Sequence, residues 1–289
     1  MTGKKGGSKK MSDFNPQEIA QITIDKGLAK TKTPVGKESL LAFVGGAFIS
    51  IGYLAYIRIT GTMPAEWGGL STFIGASVFP IGLILILLGG GELLTGNMMV
   101  VSMAYINKKI SFFDMMKNWG IVAFFNLCGA LFVAYFFGHV LGLTEGVVLE
   151  KTIAVAQAKV GDSFFVAFVS GIGCNWLVGM SVWLCYGTKN FSGKILAIWF
   201  PVMVFVLIGF QHVVANFFII PAAIFAGSLS WIEFIRNVIP VFLGNAVGGS
   251  VFVSLFYSIA YMKKTVKVKE KRYSKELAVQ SILSSKLEK

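Results

Sequence analysis

Two of this chain's apolar runs are too long to cross a bilayer once, and each is interrupted by polar, glycine-rich residues. A hydrocarbon core of about 30 Å is spanned by about 20 helical residues. The run from Gly69 to Ile106 has 38 residues and as one helix would be about 57 Å long. Inside it stands Gly89-Gly90-Gly91-Glu92-Leu93-Leu94-Thr95-Gly96-Asn97. The run from Lys194 to Gly227 carries a break of its own, Gly209-Phe210-Gln211-His212-Val213-Val214-Ala215-Asn216. Non-helical backbone at membrane depth survives only where it is buried in protein or lines a cavity. Two broken spans therefore point to a site.

Four further runs, Ser39–Ile57, Asn118–Leu143, Ser163–Gly187 and Val238–Met262, bring the expected number of spans to six. Only 14% of residues are charged, against about a quarter in soluble domains, which excludes a soluble fold. The formal charge of +12 would suggest nucleic acid for a soluble protein. Here the cations sit in the tails and short loops, so no nucleic-acid partner is expected. With both termini on the cytoplasmic side, only Arg58, Lys151, Lys159 and Arg236 of the 26 Lys and Arg face outward, as the positive-inside rule requires. The chain is thus expected in the cell membrane. Cys128, Cys174 and Cys185 lie in apolar runs without metal spacing and read as buried thiols.

A repeat ties the breaks together. At an offset of 119 residues Gly90 pairs with Gly209, Asn97 with Asn216, Lys117 with Arg236, Asn118 with Asn237, Asn126 with Asn245 and Gly129 with Gly248. Three spans per half is an odd number, so the second half inserts upside down. The expected fold is an all-α membrane protein: six transmembrane helices in a 3+3 inverted repeat with two broken helices and a site near the midplane. Residues 39–262 form the six-span domain, with repeats at about 39–143 and 162–262. An N-terminal segment, 1–38, precedes it and a basic tail, 263–289, follows, both cytoplasmic. Met1–Lys10 reads as disordered and the tail as helical in part. The spacing of Ile19, Ile22 and Ile24 fits an amphipathic helix on the membrane surface or a linker.

At the breaks the sequence resembles the formate/nitrite transporter family of pentameric channels. The resemblance rests on GGELLTGN (Gly90–Asn97), CNWLVGMSVW (Cys174–Trp183), GKILAIWFPVMVFVLIGFQHVVAN (Gly193–Asn216) and IPVFLGNAVGG (Ile239–Gly249). It covers roughly Ser39–Met262 and leaves out the tails. It implies an aquaporin-like fold, a homopentamer with one pore per protomer, no cofactor and a small monovalent anion as substrate. Formate is the first expectation; nitrite, hydrosulfide and lactate are alternatives, and proton co-movement is open.

The same resemblance suggests residue roles. His212 matches the family's central pore histidine; an intramembrane histidine is costly unless it meets a cavity or partner. Thr95 would face it across the pore, or cap the second half-helix. Lys159 matches a vestibule lysine whose field attracts anions; read alone, it is a solvated loop residue. Phe79, Leu83, Leu93, Val178 and Phe205 match apolar constrictions, which exclude hydrated ions while passing a neutral acid. Gln211 departs from the family's usual glutamate, so the carboxylate that would favour a charged imidazolium is missing there, and His212 is expected to need lower pH for protonation. Asn175 and Asn245 are buried amides beside the pore; tying broken helices together suits them better than touching substrate. Glu92 is expected to face a vestibule or cap the half-helix, and His139 to be interfacial. A neutral-solute channel of the aquaporin type would share the architecture, but the chain carries no NPA motif. One His and one Glu in different breaks make a poor enzyme constellation.

Overall fold

The structure, a computed structural model, describes residues 13–262, all of whose regular elements are helical. The expected disorder of Met1–Lys10 and the partial helix of the basic tail lie outside the described residues. In chain order the helices are α1 (Pro16–Thr31), α2 (Val35–Thr60), α3 (Ala65–Gly90), α4 (Leu94–Ile106) and α5 (Phe112–Val140). The second half holds α6 (Leu149–Val160), α7 (Phe164–Gly187), α8 (Phe191–Ile208), α9 (Val213–Phe225) and α10 (Trp231–Tyr261). Helices α2, α3, α5, α7, α8 and α10 are long and apolar enough to cross a membrane, while α4 and α9 are short. Each short helix has 13 residues, about 20 Å of rise, which reaches only part of the way through a bilayer.

Several helices start earlier than their apolar runs, because the first turns carry charge. Helix α2 begins at Val35 and includes Lys37 and Glu38, so the boundary at residue 38 falls inside it. Helix α5 begins at Phe112, where Ser111 and Asp114 form a capping box. The breaks themselves are narrower than expected: residues 91–93 in the first and 209–212 in the second. Thr95, Asn97 and Asn216 lie within the half-helices. Gly90 (φ +111°) and Gly209 (φ +89°) take the left-handed backbone that ends α3 and α8, which glycine adopts without a Cβ penalty.

Helix α1 starts at a capping box: the Glu18 amide donates to Asn15 Oδ1 at 3.0 Å and the Asn15 amide to Glu18 Oε2 at 2.8 Å. Its apolar stripe, Ile19, Ala20 and Ile24, is buried in a cluster with Met99, Val100 and Met103 of α4 and Trp183 of α7. That stripe covers protein, so the segment is neither a free linker nor a helix held by its surroundings alone.

The two halves make matching contacts. Small residues let α2 approach α5 and let α7 approach α10, as membrane helices without a hydrophobic drive between them require. A Cβ on Gly129 would collide with the Phe43 carbonyl, and one on Gly248 with the Ile172 carbonyl. Likewise, a methyl on Gly46 would run into the Asn126 carbonyl. Gly46→Ala is therefore expected to lower stability by about 1–3 kcal/mol through overpacking, read as a lower unfolding midpoint in detergent. An unchanged midpoint would show that α2 and α5 are not so close.

Candidate functional site

The N-termini of α4 and α9 meet. His212 is the N-cap of α9, where the Ala215 amide donates to its Nδ1 at 3.1 Å. Because Nδ1 accepts, the neutral ring carries its proton on Nε2, which donates to Thr95 Oγ1 at 2.9 Å. A second proton on Nδ1 would set N–H against N–H, so the capped ring is the neutral one. Thr95 stands in the first turn of α4 and does not cap it: Leu93 is the N-cap residue and supplies no side-chain bond. One buried His–Thr pair thus lies at the N-termini of two half-helices, and helix N-termini favour anions.

Two asparagines hold the breaks. Asn126 Oδ1 accepts from the Leu94 amide at 2.9 Å, while its Nδ2 donates to the carbonyls of Ala42 (2.6 Å) and Glu92 (2.9 Å). Asn245 Oδ1 accepts from the Val213 amide at 2.9 Å, while its Nδ2 donates to the carbonyls of Gly171 (2.8 Å) and Gln211 (3.0 Å). Each asparagine does from a neighbouring helix what a cap would do locally. Asn175 also ties: its Nδ2 donates to the carbonyls of Asn245 (2.7 Å) and Thr95 (3.2 Å). Neither Asn175 nor Asn245 lines the cavities described below.

Those cavities flank the junction. One, of about 290 Å³, is lined by Lys159, Asp162, Gln211 and His212 together with Tyr53, Phe79 and Phe205. Phe79 and Phe205 meet edge to face at 5.7 Å, and Phe205 stacks on the His212 ring at 5.7 Å. The other, of only about 20 Å³, is lined by Lys30, Leu83, Leu93, Gly96 and Asn97. Four of the five expected constriction residues therefore border a cavity. Val178 is buried in the core and borders neither, and Thr95 meets the site only through His212.

Lys159 is not a solvated loop lysine. It stands in the last turn of α6, and its Nζ donates to the carbonyls of Gly209 (3.0 Å) and Phe210 (3.4 Å) where α8 ends. Burial pulls its ammonium below the usual lysine range, and the Asp162 charge opposes that shift. Gln211 faces away from the imidazole: its Nε2 donates to the Lys159 carbonyl (3.0 Å) and to Asp162 Oδ2 (2.7 Å), and its Oε1 accepts from Asn216 (2.7 Å).

The first break has a matching network with different charges. Glu92 does not cap backbone; its Oε2 meets Lys30 Nζ at 2.5 Å and accepts from Asn97 Nδ2 at 2.9 Å. Asn97 also donates to Asn118, which donates to the buried Glu38. His139 pairs with Glu145 at 2.6 Å at the far end of α5, away from both breaks. Sequence reasoning missed Lys30, Glu38 and Asp162. The repeat had already marked Asn118, Asn126 and Asn237 by their spacing.

A sequence model described as formate/nitrite transporter matches residues 17–259. An uncharacterized transporter, YrhG, from Bacillus subtilis is 59% identical over 261 residues, covering 90% of this chain and 98% of that protein. A formate channel, BtFdhC, from Bacillus thuringiensis is 50% identical over 254 residues, covering 88% and 98%. Among solved structures, an FNT family ion channel superposes with a TM-score of 0.78 at 25% identity, covering 84% of this chain and 98% of that one. A pentameric formate channel with formate bound superposes with a TM-score of 0.67 at 31% identity, covering 79% and 98%.

The asparagine cradles carry a prediction of their own. Asn245→Leu would leave the Val213 amide and the Gln211 carbonyl buried without their partner, at about 1–3 kcal/mol for each group that water cannot reach. A fall of many degrees in the thermal midpoint in detergent is expected. A melt matching the parent's would show that the cradle is dispensable.

Proposed function

The chain belongs to the formate/nitrite transporter family and is a multi-pass membrane channel of that family, and from that premise we propose that it conducts formate. The observation that carries this reading is the His212–Thr95 contact at the meeting point of two half-helix N-termini. Formate is preferred to nitrite, hydrosulfide and lactate because the half-identical relative from Bacillus thuringiensis is named a formate channel. By analogy with the pentameric solved relative, the working unit is a homopentamer with one pore per protomer. The halves are inverted repeats, and both termini face the cytoplasm, which places Lys30 at the inner mouth and Lys159 at the outer.

The steps follow from the geometry. Lys159 raises the local concentration of a monovalent anion in the larger cavity. The rings of Phe79 and Phe205 strip its water, and Leu83 and Leu93 do the same beyond the junction. In the dry stretch the anion loses most of its hydration energy, and two things offset that loss. Half-helix N-termini supply fixed positive ends. His212 offers the Nε2 proton, which Thr95 holds until an anion competes for it. Formate leaves either as the anion or with a proton relayed from solvent; in the second case its uptake alkalinises the outside.

Proteoliposome flux tests this directly. Uptake of formate is expected to exceed that of nitrite, hydrosulfide and lactate, and to rise as pH falls. His212→Ala and Thr95→Val are each expected to slow it about tenfold or more, the loss of one hydrogen bond to a charged group. Equal rates in parent and His212→Ala proteins would remove the histidine from the pathway.

Lys159→Gln has a separate signature. A field effect weakens with salt, so parent uptake should fall as ionic strength rises while the variant's stays low and flat. The ammonium's lowered pKa means the attraction is present at low pH and lost as pH rises through that value. A variant as salt-sensitive as the parent would contradict the role.

A further inference from the structure

The two mouths are built on one plan with their acids in different places. At an offset of 129 residues Lys30 matches Lys159, and Ala42 matches Gly171, whose carbonyls accept from Asn126 and Asn245 respectively. Each lysine stands five residues before the first residue of its following span, Val35 or Phe164. At the other offset, 119 residues, Glu92 matches Gln211. Lys30 therefore has a carboxylate on its half-helix break, and Lys159 has an amide at the matching position.

The missing charge reappears nearby. Gln211 Nε2 donates to Asp162 Oδ2 at 2.7 Å, and the residue that matches Asp162 at the 129 offset is the uncharged Thr33. So the matched positions hold Glu92 and Thr33 at one mouth, and Gln211 and Asp162 at the other. We propose that Asp162, positioned by Gln211, supplies the counter-charge of the Lys159 mouth in place of the half-helix carboxylate, keeping Lys159 charged without neutralising it in a direct ion pair. This rests on the channel reading above.

The distances support that division of labour. Lys30 is spent in direct contact with Glu92, whereas Lys159 and Asp162 form no ion pair within 4.0 Å. The lysine instead donates to two backbone carbonyls, and its charge remains available to the cavity. The groups that face it are Asp162 from the loop before α7, the Cys174 thiol on α7 and the His212 ring at the second break. Tyr53 and Tyr56 of α2 also line the cavity. Asp162 is the carboxylate among the lining residues. A nearby opposite charge favours the ionised lysine against the desolvation that opposes it.

Asp162→Asn tests the charge alone, since the amide oxygen still accepts from Gln211. The readout is acetylation of Lys159 by acetic anhydride across a pH series in proteoliposomes, quantified by peptide mass spectrometry. Only the free amine reacts, so the curve reports lysine protonation whatever the channel carries. Asp162→Asn is expected to move the curve to lower pH by about one unit, a tenfold gain in free amine at pH values below its midpoint. Formate uptake should then fail at correspondingly lower pH, and Asp162→Asn combined with Gln211→Glu should restore both curves. Superimposable labelling curves for parent and Asp162→Asn proteins would overturn the proposal. A parent protein that carries no formate would overturn the channel substrate instead, leaving the labelling shift to decide this point.

Discussion

The structure depends on satisfying backbone groups where two helices stop inside a membrane. At the ends of α3 and α8, and at the starts of α4 and α9, amides and carbonyls lose their helical partners in a medium that offers none. Asn126 and Asn245 answer this from neighbouring helices, each taking one half-helix amide and one break carbonyl and anchoring on a second carbonyl in a spanning helix. Because the bonds come from α5 and α10, the breaks are fixed to the rigid spans. The close approach at Gly46, Gly129, Gly244 and Gly248 is what brings those asparagines within reach.

Fixing the breaks also fixes the electrostatics. The half-helix N-termini cannot drift apart, so the positive ends of both helices stay at the His212–Thr95 pair. The histidine works on both sides of its ring, capping α9 through Nδ1 and presenting Nε2–H toward α4. The mouths share a lysine at matched positions yet differ in how it is balanced: a direct pair with Glu92 at one, carbonyls and a more distant acid at the other. Two halves with matching contacts thus carry different charge patterns.

Much of this was legible in the sequence. Span length against bilayer thickness exposes both breaks, and the 119-residue offset alone pairs Asn126 with Asn245 and Asn118 with Asn237. His212 lies in a quoted motif, whereas Lys159 was named only from the family resemblance and alone reads as a solvated loop residue. The breaks were drawn too wide because Thr95, Asn97 and Asn216 are polar residues that look like loop but bond sideways from within helices. Thr95 was open to reading as a cap because hydroxyls near helix starts usually do cap; here Asn126 already takes the Leu94 amide. Lys30 and Glu38 escaped notice for another reason. They sit in charged helical turns that hydropathy discounts, and a difference of ten residues in the connections shifts their register to 129. Asp162 was invisible because only a folded loop brings it against Gln211.

Everything rests on non-helical backbone at mid-membrane surrounding a passage for anions. The most direct measurement is a cryo-electron microscopy reconstruction in lipid nanodiscs with formate present. It should resolve helix interrupted at residues 91–93 and 209–212, with anion density against His212 Nε2. Continuous helix through either segment, or acyl-chain density lying against His212, would contradict the account.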